Sequence, residues 1–281
     1  MILSTENYFL IFLGLVWIIG AVIQDLRRRE VDNIWNFSLI AFAISYRLFL
    51  SVYTDNHYFI LNGILGFFIF LFLGNLFYYM RLFAGGDAKL LIALGAILPF
   101  SLNWLVNFEI FLFFIILFLT LGSIYTFMWS LFLVSYNFDD FKKELKKQSL
   151  KYKLMFNLAF ILGILWLIIF YILNMIPFLL IGLIILLFPL LFVFAKSVEE
   201  GCMIRNLDAK QVTEGDWLYR DIIVKGKIIR SRWEGISKEE LKIIRKYHKK
   251  KILIKQGIPF TPSFLLAFLS LLFISFKYKI F

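Results

Sequence analysis

Residues 58–100 read YFILNGILGFFIFLFLGNLFYYMRLFAGGDAKLLIALGAILPF. No side chain from Tyr58 to Met80 is charged, and a helix needs about 20 mostly apolar residues to cross a bilayer. One basic residue, Arg81, closes that run. The chain then passes Gly85-Gly86-Asp87 and becomes apolar again as far as Phe100. An apolar span, a short polar break holding one acid and a second, shorter apolar run describe a chain threading a membrane. Inside lipid the backbone must satisfy its own polar groups, so such runs are read as helices.

The rest of the chain agrees. Of 281 residues, 61% are hydrophobic and 20% aromatic, with 35 Phe, and only 17% are charged. The mean hydropathy is +0.83. A soluble domain runs at about 45–50% apolar and about 25% charged. The composition therefore excludes an ordinary soluble domain, a disordered chain and a disulfide scaffold. The single cysteine, Cys202, allows neither an intrachain disulfide nor a multi-cysteine zinc site. The expected fold is an all-α polytopic membrane protein with about eight spans, at about 7–25, 34–53, 58–80, 87–100, 105–135, 154–174, 177–195 and 260–276, the fourth being short. The first run has no basic region before it and no small-residue cleavage site, so it is expected to be a retained helix.

The formal charge of +11 follows this pattern. Arg27 to Arg29, then Arg81 with Lys89, then Lys142 to Lys153, then the stretch 196–257 hold every Lys and Arg except Arg47, Lys277 and Lys279. The intervening loops 54–57, 101–104 and 175–176 hold none. Alternation of this kind places basic loops in the cytoplasm and the N-terminus outside, so no nucleic-acid partner is expected. Lys277 and Lys279 run against the pattern. Arg47 lies near the outer end of the second span, where it is expected to snorkel to the interface.

The stretch 196–257 is long enough for a small cytoplasmic α+β module. Ile222–Val224 and Ile228-Ile229 flank Lys225-Gly226 as a hairpin would. Ser237 followed by Glu240 opens a helix through about Lys250. Its Lys242, Arg245, Lys246, Lys249 and Lys250 face anionic lipid headgroups in the expected reading, which makes membrane lipid a partner.

Three acids lie in or at the ends of apolar runs: Asp25, Asp87 and Glu109. Glu109 falls near the outer face and is expected to reach the interface. Asp25 closes the first span and Asp87 opens the fourth, both on the cytoplasmic side. The topology thus brings two carboxylates to similar depth. A facing pair cannot ionise cheaply twice and holds one shared proton. One carboxylate can then activate a water while the other donates to a scissile carbonyl. The competing reading is two helix-end acids, with Asp87 favoured by a helix N-terminus and Asp25 paired to Arg28 or Arg29. Topology alone leaves both open. Gly85 and Gly86 would let backbone approach closely beside Asp87.

The local sequences favour chemistry. Gly85-Gly86-Asp87 followed by Ala88-Lys89-Leu90-Leu91 resembles the GxGD signature of intramembrane aspartyl proteases. It most resembles the prepilin peptidase branch, with its GxGDxK pattern. Asp25-Leu26-Arg27-Arg28-Arg29 followed at Asn33 by an asparagine is similar to that family's first motif. Lys255-Gln256-Gly257-Ile258-Pro259-Phe260-Thr261-Pro262 is similar to the Ile-Pro-Phe-x-Pro stretch of archaeal prepilin and preflagellin peptidases. Thr213 to Leu218 looks like part of their cytoplasmic module. The chain departs from the pattern at Ala84, where the first glycine would stand, which narrows the loop's backbone freedom. It departs again at Asp32, where a proline would stand, which adds negative charge near the site entrance.

The resemblance implies an aspartic endopeptidase with Asp25 and Asp87 as the catalytic pair. Gly85 and Gly86 would shape the loop, and Lys89 and Asn33 would hold charge or orient backbone. It implies prepilin or archaellin precursors as partners and a multi-pass protein of an archaeal cell membrane. The basic leader of such a precursor suits Glu30, Asp32 and the aspartate pair. Without a cysteine cluster, no methyltransferase activity is expected. His57 and His248 have no ligand partners in sequence, so no metal or other cofactor is expected. The organisation implied is a catalytic core over 1–135, a basic cytoplasmic loop over 136–153, a transmembrane hairpin over 154–195, the module over 196–257 and a last span over 258–281. Two other readings stay open. One is a presenilin-like or signal-peptide-peptidase-like protease, which Gln24 before Asp25, in place of tyrosine, disfavours. The other is a transporter using the two aspartates as a proton or cation site.

Overall fold

The structure is a computed structural model that describes every residue except 1, 3, 249 and 279–281. Its elements in chain order are α1 (Thr5–Arg28), α2 (Asn33–Tyr53), α3 (Tyr58–Tyr79), α4 (Gly85–Gly95), α5 (Trp104–Tyr136), α6 (Phe138–Lys151), α7 (Lys153–Leu173), α8 (Ile176–Gly201), β1 (Ile204–Leu207), β2 (Trp217–Leu218), β3 (Ile222–Val224), β4 (Lys227–Ile229), α9 (Lys238–Tyr247), β5 (Ile252–Lys255) and α10 (Pro262–Tyr278). Each of the eight apolar runs contains a helix, the fourth only as far as Gly95. Six of these helices, α1, α2, α3, α5, α7 and α8, are long and apolar enough to cross a membrane. The fold is mostly helical, with a small sheet region toward the C-terminus. Lys249 and Lys279, both used in the charge reading, lie outside the described residues.

The chain forms two compact units. The first comprises residues 1–127 and 258–281. It holds α1 to α4, most of α5, and α10. On α1 the buried positions Ile11, Gly14, Ile18, Ala21 and Asp25 recur every three or four residues, so Asp25 continues the stripe that packs inward. On α4 the buried set Asp87, Leu90, Leu91 and Leu94 has the same spacing.

At 11 residues, α4 rises about 16 Å, roughly half a bilayer. It starts two residues before the expected run and stops well before Phe100. The N–H groups of Ala96, Ile97 and Leu98 still donate to the last turn of α4, but the chain from Ala96 to Asn103 forms no helix or strand, and inside a membrane its carbonyls require partners. Side chains supply them. Asn7 donates to Phe100 O at 2.7 Å, Asn62 to Ser101 O at 2.9 Å and Asn107 to Ser101 O at 2.7 Å. Arg47 donates to Ala96 O, Ile97 O and Pro99 O at 2.8, 3.0 and 2.7 Å.

That arrangement corrects the expectation for Arg47. Its side chain is 1% exposed and does not snorkel. The carbonyls that end α4 have no helical successors, and the arginine fork is the group that can serve several at once. Gly63 on α3 leaves the room it occupies. Farther along, Gly66 and Gly74 put α3 directly against the backbone of α4 at Gly95 O and Ala88 O, the small-residue contact typical of membrane helices.

The second unit comprises residues 128–257. Its basic stretch 138–151 is the helix α6, with Phe141 packed beside Val198 and Cys202 from the end of α8. α7 and α8 form a close pair in which Leu186 lies over Gly163. Beyond α8, β5 is the centre of a three-stranded antiparallel sheet in the order β1-β5-β2. β3 and β4 pair as a hairpin whose turn residues, Lys225 and Gly226, both have positive φ. The capping box of Ser237 and Glu240 opens α9, which ends at Tyr247 rather than Lys250. Lys255 pairs with Glu199 and Glu200 at the end of α8, tying the sheet to that helix.

Candidate active site

All residues of the site belong to the first unit. Asp25 and Asp87 are 7% and 9% exposed. Asp25 sits in the last turn of α1 and Asp87 in the first turn of α4, and these helices pack together. The Asp25 carboxyl lies within electrostatic reach of Asp87. Burying two like-charged groups beside each other on the inward faces of apolar helices is costly, and such placement is a functional signature.

The surroundings of the two acids differ. Asp25 Oδ2 accepts two hydrogen bonds from Thr261, from the backbone N–H at 3.1 Å and from the hydroxyl at 2.9 Å. Thr261 stands immediately before α10, so Asp25 also faces the positive end of that helix. Asp87 is the third residue of α4 and lies beside its own helix N-terminus. Tyr125 of α5 brings its phenol within electrostatic reach of Asp25 and Arg29.

Gly85 and Gly86 are the first two residues of α4. Neither takes a positive φ. What they contribute is space and close approach. A Cβ at Gly85 would meet nothing nearer than Tyr78 at 3.9 Å, and one at Gly86 would meet Val31 N at 3.6 Å. The α1–α2 connection therefore runs against the start of α4. Lys89 and Asn33 meet directly, with Lys89 Nζ donating to Asn33 Oδ1 at 2.6 Å. This contact joins the N-terminus of α2 to α4. Asp32 is bound by Arg28 at 2.7 Å, an exposed pair, and its backbone N–H donates to Gln24 Oε1 at 2.9 Å. The Asp25–Arg28 pairing weighed from sequence is thus replaced by Arg28–Asp32.

Sequence reasoning did not find Thr261 as a partner of Asp25. The Pro259 to Pro262 stretch marked a helix start, yet its target lies far away in sequence and no local signal names it. Glu109 is exposed. Among the described residues no group of three or more His, Cys, Asp or Glu side chains is arranged to hold a metal ion.

The sequence matches known proteins over part of its length. Residues 12–138 match the model of the type IV leader peptidase family. The chain is 33% identical over 86 residues to a preflagellin peptidase of Methanocaldococcus jannaschii, covering 31% of this chain and 36% of that one. It is 36% identical over 88 residues to the preflagellin peptidase of Methanococcus maripaludis, covering 31% and 37%. That of Methanococcus voltae is 31% identical over 87 residues, with the same coverage. The match spans little more than a third of the length of each of these curated relatives. No solved structure matches. Asp25 and Asp87 both fall within 12–138; Thr261 and the sheet region fall outside it.

Proposed function

We propose that this chain, whose residues 12–138 match the model of the type IV leader peptidase family, is a membrane aspartic endopeptidase that removes the short basic leader of a prepilin or preflagellin precursor. The observation that carries the reading is the pair of carboxylates, Asp25 and Asp87, buried side by side on the inward faces of α1 and α4.

Two such groups share one proton. The ionised member takes a proton from a water as the water attacks the scissile carbonyl. The protonated member gives its proton to the carbonyl oxygen. The tetrahedral species then collapses, the amine leaves with a proton, and the pair returns to its starting state. No bond forms between enzyme and substrate. The room beside Gly85, where a Cβ would meet nothing nearer than Tyr78 at 3.9 Å, would admit an extended peptide next to Asp87. Glu30 and Asp32 lie at the α1–α2 connection beside Arg27 to Arg29, with Asp32 paired to Arg28. The alternation of basic loops supports an orientation with the N-terminus outside and the site near the cytoplasmic face of the cell membrane. Lys89 and Asn33 hold α2 against α4 so that both acids keep their depth.

The test is cleavage in membranes containing the chain, using a panel of tagged prepilin-type and preflagellin-type precursors and reading product mass. The expected product has lost its leader just ahead of the apolar helix and carries an unmodified new N-terminus. A folded, membrane-inserted chain that shortens no precursor in the panel would sink the proposal.

A further inference from the structure

The stretch leading into α10 binds Asp25 and packs on the segment that precedes Asp87, and it lies beyond residues 12–138, which match the leader peptidase family model. Thr261 gives Asp25 Oδ2 two hydrogen bonds and is itself completely buried. The neighbouring residue, Phe260, packs its ring against Phe83, with centroids 5.6 Å apart. Phe83 stands just before the Gly85-Gly86-Asp87 turn. Phe260 is also held from α5. Its ring lies 5.5 Å from that of Phe118, and Gly122 leaves the surface it rests on. Phe118 in turn packs on Phe83 at 5.6 Å and on Phe264 of α10 at 4.4 Å. One dipeptide therefore binds the carboxylate at the end of α1 and braces the segment that aims the carboxylate at the start of α4.

We propose that Phe260 and Thr261 are positioning residues, a clamp that sets the mutual orientation of Asp25 and Asp87. The proposal rests on the reading of those two acids as the catalytic pair. The chemical argument is geometric. A carboxylate on a single χ1–χ2 stem can rotate, and two buried carboxyls repel when both face each other charged. Fixing Asp25 Oδ2 on two donors leaves Oδ1 to face the partner acid and the water. A hydroxyl donor to a charged acceptor restrains that rotation more strongly than packing does. The backbone N–H of Thr261 remains in any side-chain variant, so the hydroxyl's share is separable by mutation.

The experiment compares kcat and KM for precursor cleavage by the full chain carrying Thr261→Val, Thr261→Ser or Phe260→Ala, with rates taken per folded enzyme from thermal melts in detergent. Loss of the hydroxyl is expected to lower kcat about tenfold while leaving KM unchanged, the size of one hydrogen bond to a charged group. Thr261→Ser restores kcat to within about twofold, because it returns the donor. Phe260→Ala lowers kcat as well, by freeing Phe83 and the Asp87 turn. Wild-type kcat in Thr261→Val, or an equal defect in Thr261→Ser, would overturn the role of the hydroxyl. Wild-type kcat in Phe260→Ala would overturn the brace. Asp25→Asn run in the same assay reports on the pair itself. If that variant cuts, the catalytic reading fails and the clamp fails with it, whatever the Thr261 variants do.

Discussion

At the scale of single residues, a buried charge in the described structure can serve backbone. Arg47 serves three carbonyls at the end of α4 from a fully buried position. Arg47→Met keeps much of the volume but leaves those carbonyls without a donor. It is expected to lower stability by about 3 kcal/mol, seen as a reduced melting temperature in detergent. Arg47→Lys recovers only part of the loss, since an ammonium cannot fork across three acceptors. The sequence showed the charge inside the span but not the carbonyls it serves, because those are created by the early stop of α4. In the second unit, burial pushes the Asp216 carboxyl above its ordinary value, although it accepts a hydrogen bond from Thr213 N at 2.7 Å. A folded-state shift upward means that the folded chain holds the proton longer than the unfolded one, so this group's contribution falls as pH rises from the ordinary carboxylate range. Asp216→Asn keeps the acceptor and removes the charge. It is expected to slow hydrogen exchange at Thr213 and Ile236 at neutral pH, with the difference from wild type vanishing at low pH.

At the scale of elements, α4 is the part on which the site depends. It is too short to cross, it is buried on nearly every side, and its depth is set by direct backbone contact with α3. A Cβ at Gly95 would press on Gly66 O at 2.6 Å and on the Phe70 side chain. Gly95→Ala is therefore expected to destabilise by about 1–3 kcal/mol. It should also lower cleavage more than its melting temperature alone explains, because displacing a catalytic group by about 1 Å costs about 100-fold. Equal melting and equal cleavage would show that the α3–α4 contact has slack. Much of this layer was legible in the sequence. Six of the apolar runs gave their helices to within about three residues, while α4 stops five residues short of the fourth run and α8 continues six residues past the seventh; Ser237 and Glu240 gave the start of α9, and Lys225-Gly226 gave a turn. The sheet was legible only in its hairpin. Ile252–Lys255 is a short apolar run whose partners, Ile204–Leu207 and Trp217–Leu218, are separated from it by a hairpin and a helix. Nothing local distinguishes such a strand from a linker. The helix α6 was hidden for another reason: most of its residues are charged, and only Phe141 and Gln148 are buried.

At the scale of the whole molecule, the first unit is closed by the end of the chain. The region shared with the leader peptidases holds both acids, while Thr261 on the approach to α10 holds one of them. A chain ending at residue 257 keeps the entire matched region and is expected to insert in membranes yet cleave no precursor, as immunoblots of inserted protein and product would show together. The acids were legible because membrane spans make any buried carboxylate conspicuous and the charge alternation put both at one face. Their tie to Thr261 was not, because it joins opposite ends of the sequence. The central claim is that Asp25 and Asp87 act as one catalytic pair. The measurement that tests it most directly is cleavage of a precursor by Asp25→Asn and Asp87→Asn, each compared with wild type at equal amounts of folded, inserted protein. Asparagine keeps the shape of each side chain and removes its proton chemistry. The account predicts that either substitution alone abolishes cleavage. Cleavage at the wild-type rate by either variant would contradict it.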